Sequence, residues 1–135
     1  GIMAGTSDEG HQIIYSHNMG DVTATAANGS ARAGGLIGHS DGINIINNAV
    51  YGNVAGYEAG GLVGLIANDA ILENNYVRGN VHGENTAGGL VGYGYNNTLS
   101  VNNAYVSGVI SAAQESTLKG KLIRLQHPRA VQLLD

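Results

Sequence analysis

Apolar positions in this chain come in short pieces bounded by Gly and Asn. Leu72, Val77 and Val81 stand among Glu, Asn, Arg and Gly, with a local period near two instead of 3.6. Short β-branched runs bounded by Gly and Asn clusters are strand and turn signals. Both punctuating residues also disfavour helix interiors. The pattern therefore predicts many brief strands.

The pieces repeat. AGGLIG at Ala33–Gly38 returns as AGGLVG at Ala59–Gly64 and Ala87–Gly92, at spacings of 26 and 28 residues. A second block follows each hexapeptide. IINNAVYGNV from Ile45, LENNYVRGNV from Leu72 and VNNAYVSGVI from Val101 share the form apolar-x-Asn-x-x-Val-x-Gly-x-Val/Ile. A worn copy, IIYSHNMGDV, starts at Ile13 and carries Tyr15 where the others carry Asn. Length varies between the hexapeptide and the second block (HSDGIN, LIANDAI, YGYNNTLS) and in TATAANGSARA after Val22. These segments are expected to be loops, which accept insertions because they face solvent.

Repeats of this length built from strands and turns stack into a solenoid, since one coil alone cannot bury its inward residues. The expected fold is all-β, a parallel β-helix (β-solenoid) of about four coils of about 27 residues. Three sides are expected, and right-handed winding by extension of the crossover rule. Residues 1–116 form the solenoid, as a degenerate unit 1–32 and units 33–58, 59–86 and 87–116. Stacking places Val50, Val77 and Val106 in one core column and Leu36, Leu62 and Leu90 in another. Asn47, Asn74 and Asn103 are expected to form a structural amide ladder of the kind seen in cross-β stacks. The glycine pairs Gly34-Gly35, Gly60-Gly61 and Gly88-Gly89 are read as corners, using positive φ and close backbone approach.

Composition fits a narrow core. There are 22 Gly and 15 Asn, with no Trp, Phe or Cys, so Val, Ile, Leu and Ala must supply the interior. Missing Cys excludes a disulfide framework and a Cys-ligated zinc site. Charged residues make up 12% and the net charge is −4. That scarcity of Lys and Arg argues against nucleic acid, which demands a basic face. No apolar run approaches the roughly 20 residues of a membrane helix, so no membrane insertion is expected.

AGGLVG followed by N-x-x-V-x-G-x-V resembles the GLUG-motif repeats of bacterial surface adhesins and of secreted IgA-protease-type proteins. The likeness covers roughly residues 1–113. It implies a scaffold or adhesive role in an exported, secreted or cell-surface bacterial protein, with no catalytic residue to carry over. The expected function is therefore a structural or adhesive segment that binds or presents other domains. The alternatives are an accessory spacer of a secreted protease and a carbohydrate-binding or carbohydrate-active β-helix. Host protein or glycan is the expected partner, together with end-to-end self-association through open terminal coils.

Candidate chemistry is sparse. His11, His17, His39, His82 and His127 form no H-x-x-x-H pair and are read as loop histidines. Asp8, Glu9, Asp41, Glu58, Asp69 and Glu84 are placed in corner loops. No column repeats an acid, as a glycosidase pair would require. No catalytic residue, cofactor or metal is expected, and the chain is read as no enzyme. Tyr76, Tyr93, Tyr95 and Tyr105 form the possible binding face, since Tyr combines apolar area with a hydroxyl. Beyond Ser116 the composition turns basic and Asn-free. With Leu118, Leu122 and Leu125 at helical spacing, residues 117–135 are read as a C-terminal cap or a disordered extension.

Overall fold

The computed structural model describes residues 11–27, 29–95, 99–112 and 123–125. These residues form seventeen strands and no helix. With strands numbered in chain order, the first sheet stacks β1 (His11–Ile14), β6 (Ile43–Ile46), β10 (Ala70–Glu73) and β14 (Leu99–Asn102). The second stacks β2 (His17–Asn18), β7 (Ala49–Val50), β11 (Tyr76–Val77) and β15 (Tyr105–Val106). The third stacks β3 (Val22–Thr23), β8 (Val54–Gly60), β12 (Val81–Gly88) and β16 (Ile110–Ala112), with β4 (Arg32–Gly34) beside the far half of β8. The fourth stacks β5 (Ile37–Asp41), β9 (Val63–Ala67), β13 (Val91–Tyr95) and β17 (Ile123–Leu125). Every pairing is parallel. The chain is thus a parallel β-solenoid of about three turns, four strands deep along each stack. The pairing sorts these strands into four sheets, where the sequence suggested three faces.

Register follows the repeat. Val50 pairs with Val77 and Val77 with Val106. Leu36 donates its backbone N–H to the Leu62 carbonyl, and Leu62 to that of Leu90. Val50, Val77 and the three leucines are fully buried, while Val106 in the last rung is partly buried against them. They share one core with Ile13, Ile45, Leu72 and Val101. A second, smaller core lies along the third sheet, from Val54, Val81, Ala33, Ala59 and Ala87.

Gly34, Gly35, Gly60 and Gly61 of the glycine pairs act by close approach. None of their six members has positive φ. A Cβ on Gly61 would run into the Gly89 carbonyl oxygen and stand 2.6 Å from Val77 Cγ1. Left-handed backbone is instead supplied mostly by Asn. Asn47, Asn74 and Asn103 have φ of 59°, 55° and 52°, and Tyr15 takes the equivalent place at 49°. Each is the first of the two residues that turn the corner between the first and second sheets. Asn tolerates this conformation because its short polar side chain can bond locally.

Two expectations about loops are corrected. HSDGIN and LIANDAI are largely strand, with the bend confined to Gly42 (φ 88°) in one and Asn68 (φ 65°) in the other. TATAANGSARA begins in β3 and ends in β4, and its described residues between them belong to no strand. In the tail, Ile123–Leu125 is a strand paired with β13, so Leu125 is not helical. Leu118 and Leu122 lie outside the described residues.

Candidate functional site

Polar side chains on the solenoid are organised as columns, and the columns have different jobs. The first is buried. Asn48 and Asn75, each 3% exposed, follow the corner residues directly. Asn75 Nδ2 donates to the Ile45 carbonyl at 2.8 Å, and Asn48 Nδ2 to the Ile13 carbonyl at 2.8 Å. Asn75 Oδ1 accepts from Asn48 N at 3.1 Å and Asn48 Nδ2 at 3.2 Å, while Asn48 Oδ1 accepts from Ser16 N at 2.9 Å. Each amide therefore joins its rung to the preceding one and satisfies backbone groups that the corner has removed from the strand ladder.

The second column is exposed. Asp21 Oδ1 accepts from Asn53 N (2.8 Å), Asn53 Oδ1 from Asn80 N (2.9 Å), and Asn80 Oδ1 from Val109 N (2.9 Å). The expected ladder residues Asn47, Asn74 and Asn103 lie in the corner column. One side-chain bond links them, from Asn103 Nδ2 to Asn74 Oδ1 at 2.8 Å. The fully buried amide bonds belong to their sequence neighbours.

The tyrosines divide. Tyr76 and Tyr105 are paired on the second sheet, with ring centroids 5.0 Å apart and planes 2° from parallel. Tyr93 sits on β13 in the fourth sheet, opposite Leu65, and Tyr95 ends the same strand. The structure instead brings Tyr51 to the first pair, its ring 6.0 Å from that of Tyr76 and tilted by 50°. Tyr15 stands exposed at the first corner. Between them the stack is broken, because the position in register with His17 and Tyr76 is Ala49. An open hollow of about 610 Å³ lies over Ala49, walled by Tyr15, His17 and Met19 of one rung and by Asn47 and Tyr51 of the next. Asn74 closes its third-rung side. This column reads His17, Ala49, Tyr76, Tyr105 in the repeat alignment, and the single small residue in it is the signal that locates the hollow.

The histidines and acids are mostly strand residues, contrary to the loop assignment. His11, His17, His39 and His82 lie on β1, β2, β5 and β12, and His127 is outside the described residues. Glu58 on β8 and Glu84 on β12 are likewise in strands, and Asp41 closes β5. The reason is that the sheets extend through segments whose length varies. Glu58 Oε2 receives Arg32 Nε across adjacent rungs at 2.8 Å. His39 Nε2 stands 3.7 Å from Asp41 Oδ1. His82 Nδ1 and Ser111 Oγ are 2.9 Å apart on neighbouring rungs. Asp69 lies outside any strand, between Asn68 and β10, and Asp8 and Glu9 fall outside the described residues.

Fold and columns together define a β-solenoid repeat module. No family model matches the chain, and no curated protein or solved structure matches it.

Proposed function

We propose that this chain is a structural or adhesive repeat segment of an exported bacterial surface protein, of the GLUG-repeat type, spacing and presenting the domains around it. The observation that carries this reading is the axial direction of its polar bonding. Asn48 with Asn75, Asn74 with Asn103, the Asp21–Asn53–Asn80 series and Arg32 with Glu58 all join one rung to its neighbour. Cohesion of that kind makes a stiff rod whose length scales with rung number, because each repeat contacts only its neighbours.

The test is an exchange. In the protein that carries it, the segment is replaced by another β-solenoid of equal rise and unrelated surface. Attachment and antibody labelling of the outer domains on intact cells should both survive. Lost attachment with labelling retained would move the function from spacing to the segment's own surface. An accessory spacer of a secreted protease uses the same rod, and recovery of the segment in culture medium instead of on cells favours that version.

A further inference from the structure

The hollow over Ala49 has the make-up of a small-ligand site. Its volume lies within the roughly 300–1,000 Å³ range of such pockets. Its walls are aromatic, amide and thioether groups, with no carboxylate, Lys or Arg among them. The aromatic wall is braced from behind, since Tyr51 leans on Tyr76, which stacks on Tyr105. That bracing reduces the ordering cost a ligand would meet.

The polar wall is available. Asn74 Oδ1 is engaged by Asn103, which leaves the Asn74 Nδ2 donors free for a guest. Asn47 is held at the rim by its left-handed backbone, and no hydrogen bond among the described residues occupies its amide. Donors and acceptors beside aromatic faces, with no carboxylate, Lys or Arg among them, match a neutral polyhydroxylated ring. Its C–H face packs on Tyr while its hydroxyls bond to amides. Rungs lie roughly 5 Å apart, which is about the advance of one linked sugar ring, so a glycan running along the axis meets one rung per residue.

We infer that the hollow over Ala49 is a binding site for a neutral pyranose unit of an oligosaccharide, with Tyr15 and Tyr51 as the stacking walls and Asn47 and Asn74 as hydroxyl partners. This site is independent of the spacer role, because the axial bonds of the rod do not include the free amide groups or the ring faces that the sugar would use.

The test begins with the whole chain on an array of neutral and acidic oligosaccharides, followed by NMR titration with the best neutral binder. Binding of neutral glycans with shifts at Ala49 and Asn47 is expected. Ala49→Tyr fills the hollow while extending an aromatic column that already holds Tyr76 and Tyr105. It should weaken binding by about tenfold or more with the melting midpoint held. Asn47→Gly keeps the corner conformation but removes the amide, and should also weaken binding. Tyr93→Ala, on another sheet, should leave it unchanged. Absence of any neutral binder, binding of acidic glycans alone, or full affinity in folded Ala49→Tyr would each overturn the assignment. None of those results would touch the outcome of the exchange experiment.

Discussion

Asn75→Ala is the substitution that most directly probes how the rungs are joined. Removing this amide deletes one donated bond, to the Ile45 carbonyl, and two accepted bonds, from Asn48 N and Asn48 Nδ2. Asn48 Nδ2 keeps its bond to the Ile13 carbonyl, but Asn48 N and the Ile45 carbonyl lose these side-chain partners in a buried setting. A net hydrogen bond contributes about 1 kcal/mol, and a buried group left unsatisfied costs about 1–3 kcal/mol. The expected loss is therefore about 3–5 kcal/mol, a large part of the 5–15 kcal/mol typical of a domain. Asn74→Gly is the control one residue earlier. It gives up a single exposed bond from Asn103 yet suits the left-handed corner, so it should cost about 1 kcal/mol or less. Urea unfolding followed by circular dichroism measures both, with the slope checked for constancy so that the midpoints can be compared. If Asn75→Ala were no more damaging than Asn74→Gly, the buried amide column would not be what joins the rungs.

Further outcomes are expected from the same structure. Gly61→Ala should cost at least about 3 kcal/mol or abolish folding, because its Cβ meets backbone of the next rung and Val77 together; thermal melting checks this. Val77→Asp places an unpaired carboxylate in a fully buried column and should cost several kcal/mol in order of magnitude, read as a lost or strongly lowered midpoint. Tyr15→Gly should stabilise by about 0.5–1 kcal/mol, since it relieves a bulky residue from left-handed backbone, and denaturant unfolding would register it as a raised midpoint. Glu58→Gln should change stability by less than about 1 kcal/mol, because the Arg32 partner is partly exposed and screened; a larger drop in low salt would count against that estimate.

Parts of the fold were legible because each rung imposes the same constraint at the same place. Three copies of AGGL and three of the N-x-x-V-x-G frame are enough to align Leu36 with Leu62 and Leu90, and Val50 with Val77. The glycine pairs were legible as tight places but not in mechanism. Sequence cannot separate a glycine needed for its φ from one needed because a neighbouring carbonyl occupies the position of its Cβ. The Asn-Asn pairs hid a similar ambiguity. In Asn47-Asn48 and Asn74-Asn75 the first Asn turns the corner and the second is buried, whereas in Asn102-Asn103 the second turns the corner and Ala104 follows, so the corner column holds three Asn and the buried column only Asn48 and Asn75. Counting Asn therefore favours the exposed column as the ladder, although the denser hydrogen bonding lies in the other.

The candidate site was harder to read for the opposite reason. A repeat advertises positions that every rung must fill alike, and a site on its outer wall lies where rungs differ. In the sequence Tyr76 and Tyr105 are simply tyrosines near other tyrosines, but Tyr93 belongs to a different sheet and Tyr51 follows Ala49 by two residues. What makes the hollow is the small residue in register with them, flanked by Tyr15 at a worn corner. In a stacked fold, a column that loses its large side chain at one rung creates a cavity bounded by the rungs on either side. Departures from the repeat on outward positions are therefore where recognition should be sought, and conformity to it marks the cohesion that holds such a site in place.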